Sequence, residues 1–325
     1  MSGPDYRPAW WAPGRHFQTM WGKFLRRHAA LPTRAEQWDT PDGDFVELHR
    51  LGGAPGAPRI LVLHGLEGSA RSHYARGMLA GAALRGWHAD VLVFRSCGSE
   101  PNRLARSYHS GETTDLDLVV RRLIEASPEQ LLGLVGVSLG GNVLLKWLGE
   151  CGPGIPPQLR GAVAISVPFD LARSTRHIDQ GFGRVYQAHF LRSLKRKAHE
   201  KRRRFPDALS AYAIDRARTL YQFDDAVTAP IHGFRDADDY YERSSSIRWL
   251  ERIRLPTLLL SAADDPFLPP DVLDQVRAIA RRSPALELEF PDRGGHVGFV
   301  AGRSPWRPLY YAEWRAFNFL AHRLP

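Results

Sequence analysis

Residues 133–142 read GLVGVSLGGN. A run of small and branched apolar residues stops at Val137, one hydroxyl follows at Ser138, and glycines stand at Gly136, Gly140 and Gly141. A sharp strand-to-helix turn needs small neighbours, because strand and helix approach closely there. Gly136-Val137-Ser138-Leu139-Gly140 fits G-x-S-x-G in the context such an elbow requires, with an apolar strand before it and helix-forming residues after. The turn lifts the hydroxyl above a sheet and sets it at a helix N-terminus. There the Leu139 N–H and the positive end of the helix dipole face developing negative charge. A plain glycine turn with a capping serine is the alternative.

Outward from this point, short apolar runs alternate with helical patterns. Strands are predicted at 59–65, 88–95, 130–138, 161–168, 256–262 and 286–290, and their near-continuous apolar character suits a parallel sheet buried on both faces. Helices are predicted at 72–86, 113–126 and 141–150. The alternation predicts an α/β chain with a mostly parallel central sheet and helices on both faces. Residues 44–52 alternate polar and apolar positions and fit an antiparallel edge strand. From about 169 to 241 no strand can be read. That stretch is helical in tendency and strongly basic in its first half, and the rhythm resumes at 256. We therefore expect one domain over residues 1–325 with a helical cap inserted at about 169–241; a separate small domain is the alternative.

A serine hydroxyl needs a base beside it, and the base needs a third group to hold it. His296 follows the last predicted strand in the glycine-rich loop PDRGGHVGF. Asp264 and Asp265 end the preceding strand, before Pro266. Asp265 is favoured for the third group and Asp264 is its rival. The order Ser138, Asp265, His296 is that of α/β hydrolases, not of the other two familiar serine-triad orders. A second oxyanion N–H should come from the loop after strand 59–65, and Leu66 in LHGLEGS is the candidate. His64 reads as a brace for that loop. In YHSGETTDLDLV (108–119), Ser110 reads as a helix cap and Glu112 and Asp115 as charges favouring the helix start; His109 near the site entrance is the functional alternative.

Composition narrows the classes. The chain has 325 residues, 43% hydrophobic and 24% charged, ordinary values for a globular protein. The formal net charge is +9. Only five of the 44 basic residues are lysines, a skew that follows from GC-rich coding more readily than from selected phosphate contacts. The basic run Lys195–Arg204 reads first as a solvated helix face. Its alternative is peripheral contact with an anionic membrane or a polar lipid head. Nucleic-acid binding is disfavoured, because the stacking aromatics expected for single strands are not interleaved there. Tyr186, Phe190, Tyr212 and Tyr221 lie nearby and suit a core or an acyl pocket. Cys97 and Cys151 make no disulfide framework, and no C-x-x-C pair suggests zinc. No apolar leader is read in the N-terminal stretch, and no run approaches the roughly 18 apolar residues of a membrane span. The expectation is a cytoplasmic protein without cofactor or metal.

Seven motifs occur in order: GRHFQTMW, LHGLEGS, FRSCGSEPNR, YHSGET, GVSLGGN, DDPF and GGHVGF. With them the chain resembles the YheT-like branch of the α/β-hydrolase superfamily, which includes plant EMB8-like proteins and animal α/β-hydrolase domain proteins. The resemblance runs from about residue 14 to 299. It implies a serine hydrolase acting on carboxylic or lipid esters, with a helical cap, no cofactor, and a triad on Ser138, one of Asp264 and Asp265, and His296. Ser96 stands where the pattern expects a glycine, which puts the shape of that loop in question. A non-catalytic receptor on the same fold, or an acyltransferase with the same triad, would use the same residues. Acyl length, the alcohol part and oligomeric state stay open.

Overall fold

The computed structural model describes residues 6–26 and 30–325; the first five residues of the stretch read for a leader lie outside them. Eight strands form one sheet: β1 (Arg34–Asp39), β2 (Phe45–Leu51), β3 (Arg59–Leu63), β4 (His88–Val93), β5 (Leu132–Val137), β6 (Leu159–Ile165), β7 (Thr257–Leu260) and β8 (Leu286–Glu289). Their spatial order is β1-β2-β4-β3-β5-β6-β7-β8. β1–β2 and β2–β4 pair antiparallel, and every later pair is parallel. All six strands predicted in the parallel part are present, their C-terminal ends one to three residues shorter than predicted and β6 starting two residues earlier.

The expected edge strand at 44–52 is antiparallel but not an edge. β1, RAEQWD, covers it. Its mostly exposed, charged face carries no apolar pattern, and that is how a sheet edge avoids pairing with another chain. In the parallel strands alternate residues go to opposite faces. Leu61, Leu63, Leu134 and Leu259 meet α3 (Thr114–Ala126), α4 (Leu139–Cys151) and α11 (Pro270–Ala280) on one side. Ile60, Val62, Val135 and Leu258 meet α2 (His73–Ala83) and α12 (Tyr311–Ala321) on the other. Burial on both faces explains the continuous apolar runs.

Between β6 and β7 the chain forms helices and no strand among the described residues: α5 (Leu171–Ile178), α6 (Gly183–Arg204), α7 (Ala211–Arg216), α8 (Leu220–Phe223), a π-helical turn (Asp224–Thr228), α9 (Ala229–Ile231) and α10 (Ala237–Ser244). Side chains of Asp170, Ser210, Thr219 and Asp236 accept from the N–H three residues on and cap four of these helices, as short polar side chains do at N-caps. The insertion has its own apolar clusters, around Leu191, Ile214, Phe223 and Val227, and around Leu171, Tyr240 and Tyr241.

The basic run of α6 is not one solvated face. Lys197 and Lys201, a helical turn apart, point inward beside Ala198, and Lys201 is 7% exposed. Lys201 Nζ reaches Asn102 Oδ1 and the carbonyls of Leu104 and Arg106. Arg196 and Arg203 face outward. No helix of the described residues is long and apolar enough to cross a membrane.

N-terminal to the sheet lies α1 (Arg15–Leu25). A two-stranded ribbon, β9 (Val300–Ala301) with β10 (Leu309–Tyr310), leads into α12.

Candidate active site

Because β3, β5, β6, β7 and β8 run parallel, their C-terminal ends share one edge of the sheet, where α/β folds build their sites. β5 stops at Val137 and α4 starts at Leu139, so Ser138 alone makes the turn. Its backbone lies at φ 54°, ψ −119°, a strained region for a residue with a side chain. Its N–H donates to Ile165 O at 2.8 Å and its carbonyl accepts from Asn142 N at 3.1 Å. The glycines follow from the close approach. A Cβ on Gly136 would lie 2.6 Å from Gly140 O, and one on Gly140 would lie 2.5 Å from His64 O.

His296 Nε2 lies 2.9 Å from Ser138 Oγ. On its other side His296 Nδ1 lies 2.9 Å from Asp265 Oδ2 and 3.2 Å from Oδ1. The structure therefore brings together Ser138, Asp265 and His296, from the ends of three different strands. Asp264 points elsewhere: its Oδ1 accepts from the Gly295 N–H at 2.8 Å. It ties the histidine loop to the loop after β7 and does not reach the imidazole. Burial pushes the Asp264 carboxyl up. Asp265 also accepts from the Phe267 N–H at 2.8 Å. The Phe267 ring packs on His296 with centroids 4.1 Å apart, and Tyr186 and Phe190 of α6 pack on Phe267. Tyr212, by contrast, is 69% exposed, so that part of the expected aromatic cluster is not a pocket wall.

Leu139 is the first residue of α4, and its N–H has no partner within the helix. The loop after β3 places Leu66 between two committed neighbours. Gly65 N–H donates to Tyr74 Oη at 2.8 Å and Glu67 N–H to Tyr108 Oη at 2.9 Å. Leu66 and Leu139 line one cavity with Ser138 and His296. His64 braces the loop: its Nδ1–H donates to Gly65 O at 2.8 Å and its Nε2 accepts from Phe94 N–H at 3.1 Å. Burial draws its imidazole down to about 4, so it is neutral and fixed as one tautomer.

One sequence reading needs correction, and two points left open are answered. Ser110 does not cap α3. The N-cap is Thr113, without a side-chain cap, and Glu112 Oε1 accepts from Thr114 N–H at 2.9 Å instead. The Ser110 carbonyl accepts from Asn142 Nδ2 and the Ser110 N–H donates to Tyr240 Oη. His109 lines the cavity, but it is packed against His232 and burial draws it down to about 4. Ser96 sits at φ 66°, the left-handed region that glycine adopts freely, and its hydroxyl donates to Asn102 Oδ1 at 2.6 Å. The serine thus keeps a backbone conformation suited to glycine.

Several positioning residues escaped the sequence reading. Thr19 Oγ1 accepts from the His296 N–H at 2.9 Å and donates to Arg15 O at 2.7 Å. Gln18, 2% exposed, accepts from Val300 N–H at 2.7 Å and donates to Ala12 O and Val300 O. Ser166 Oγ accepts from Val297 N–H at 3.0 Å. Thus α1 latches the histidine loop, which carries positive φ at Gly295, Val297 and Phe299. The signal was GRHFQTMW, a motif whose polar residues had no assigned task. Glu67 was also missed; its carboxylate meets Tyr108 Oη at 2.8 Å, Lys197 Nζ at 2.8 Å and Ser193 Oγ.

The cavity holds about 160 Å³. The insertion supplies most of its apolar lining, including Leu171, Ile178, Leu194, Phe223, Val227 and Ile231.

A family described as the alpha/beta hydrolase fold matches residues 58–302. The Escherichia coli (strain K12) protein named "Putative esterase YheT" is 40% identical over 292 residues, covering 88% of this chain and 84% of that protein. Phospholipase ABHD3 of Bos taurus is 27% identical over 315 residues, covering 94% of this chain and 75% of that protein. Among solved structures, the Pyrococcus furiosus esterase Pf2001 aligns with a TM-score of 0.59 at 19% identity, over 91% of this chain and 92% of that one. At that identity the likeness is one of fold.

Proposed function

This chain belongs to the YheT-like α/β-hydrolase family, and from that premise we propose that it is a serine hydrolase that cleaves carboxylic esters through an acyl-enzyme. Esterases and lipases among its relatives support a hydrolase. The observation that carries the finer reading is the unbroken line Ser138 Oγ, His296, Asp265, with 2.9 Å at each link, opening into an apolar cavity.

In this reading Ser138 Oγ attacks the ester carbonyl while His296 Nε2 takes its proton. Asp265 holds the imidazole with Nδ1 protonated and stabilises the imidazolium that forms. The N–H groups of Leu66 and Leu139 receive the tetrahedral oxyanion; losing one such donor typically costs about 3–4 kcal/mol of barrier. His296 returns the proton to the leaving alcohol, and water, activated the same way, releases the acid. The helical insertion acts as a cap whose apolar wall takes a carbon chain, which favours an ester with an aliphatic part. Neither a cofactor nor a metal takes part in these steps.

The test is labelling with a fluorophosphonate probe together with hydrolysis of p-nitrophenyl esters from acetate to palmitate. Labelling of wild type that vanishes in Ser138→Ala, with turnover of at least one ester, supports the reading. A folded wild type that takes no label and turns over no ester overturns it and leaves a ligand receptor.

A further inference from the structure

The wall of the cavity built by the insertion is not wholly apolar. Asp224 lines it, on the π-helical turn between α8 and α9; such turns recur at functional sites. Its Oδ1 accepts from Thr228 Oγ1 at 2.6 Å and its Oδ2 from Tyr241 Oη at 2.7 Å. Both donors are neutral hydroxyls, and no cation faces the carboxyl among the described residues. Two donors leave a carboxylate with accepting capacity unused. Tyr241 is in turn engaged by Thr175 of α5. The residue before it, Ser174, lines the same cavity, is 7% exposed, and its Oγ has no hydrogen-bond partner. A buried hydroxyl left unpaired costs about 1–3 kcal/mol, and this one lies just behind the cavity lining to which Ser174 belongs.

We propose that Asp224, Tyr241 and Ser174 form a second polar subsite, which takes a hydroxyl group carried by the substrate away from the scissile ester. In this proposal the guest hydroxyl donates to Asp224, which only accepts when ionised, and its seating turns the unpartnered Ser174 hydroxyl out of the wall to donate to it. Burial holds the Asp224 carboxyl up at about 6, which suits a neutral hydrogen-bonding guest better than a fixed cation. The subsite selects among esters that the triad could cleave equally well. It rests on the ester-cleaving reading of the cavity.

Two matched pairs of substrates test it. One is p-nitrophenyl hexanoate against its terminal-hydroxyl counterpart, where the acyl part carries the group. The other is butyl hexanoate against the hexanoate monoester of butanediol, where the alcohol part carries it. In one pair wild type should prefer the hydroxylated ester by about tenfold or more in kcat/KM, since a site built to hydrogen-bond a hydroxyl discriminates against its absence. Asp224→Asn and Ser174→Ala should each bring that ratio towards one. Thermal unfolding of both variants establishes that they fold, and Ser174→Ala, the smaller change, stands if Asp224→Asn does not. The same preference should appear as tighter binding to Ser138→Ala by calorimetry, which needs no turnover. A ratio near one in both pairs for wild type, or a preference that survives both variants, overturns the subsite. If wild type cleaves no ester, the hydrolase reading fails, and calorimetry alone still decides the subsite.

Discussion

Glu67 and Lys197 join the loop after β3 to the helical insertion. The Glu67 carboxylate meets Lys197 Nζ at 2.8 Å, and their side chains are 8% and 22% exposed. Glu67 holds φ 54° directly after Leu66, so the contacts of its side chain restrain the loop on the C-terminal side of Leu66. The pair ties the loop that carries Leu66, the proposed oxyanion donor, to the docking of α6.

Lys197→Met should therefore do more than loosen the insertion. It leaves a mostly buried carboxylate without its cation, at a cost of up to about 3–5 kcal/mol, and lets the loop turn. A small misplacement of a catalytic group costs up to about 10²-fold in rate. We expect kcat on p-nitrophenyl acetate to fall about tenfold or more, with KM changed little and the melting temperature lowered. Unchanged kcat beside a lowered melting temperature would limit the pair to a structural role.

Asp265→Asn and Asp264→Asn should separate cleanly. The first replaces one carboxylate oxygen with an amide donor at His296 Nδ1 and favours the wrong tautomer, a change that costs about 10⁴-fold in kcat where triads have been dissected. The second weakens the bond to Gly295 N–H and lets the histidine loop drift, a smaller loss of roughly tenfold to 10²-fold. Steady-state kinetics of the two variants side by side checks this. Equal losses would mean that both carboxylates serve the imidazole.

Thr19→Val removes the acceptor at the His296 N–H, and Gln18→Ala leaves the Val300 N–H without its side-chain acceptor. Each should destabilise by about 1–3 kcal/mol, read as a lower midpoint in urea. Activity should fall further for Thr19→Val, because its contact is to the histidine itself. If Thr19→Val keeps wild-type kcat, the latch positions nothing.

The buried His64 makes stability depend on acid. Its folded value, about 4, lies below its ordinary value of 6.5. The unfolded state therefore takes up the proton first. The stability of the neutral, buried form is complete above about 6.5 and drains as pH falls towards about 4, by roughly 3 kcal/mol. The melting temperature should drop across that window, and His64→Gln should flatten part of the drop. Burial also lowers His109 and His232, so a residual slope is expected in the variant. An identical slope in both proteins would remove His64 as a source.

How much of this could be read from the chain depends on the range of the interaction. The strand at 132–137, the glycines around Ser138 and the order serine, aspartate, histidine are local patterns. A buried parallel strand must be apolar throughout, and a turn of one residue between strand and helix leaves no room for a Cβ on either side. That was enough to point to an α/β hydrolase and to name the three residues now found within 2.9 Å of one another in succession. β1 escaped because an exposed edge carries charge and no hydrophobic period. The direction of Lys197 and Lys201 escaped because a basic helix reads the same whether two of its lysines face water or a cavity. Only tertiary packing decided which of two adjacent aspartates meets His296, and it did so by sending Asp264 to the Gly295 N–H. It also brought Thr19 to the histidine across 277 residues of chain. Such partners are chosen by how separate elements close on one another, and neither local propensity nor spacing along the chain contains that information.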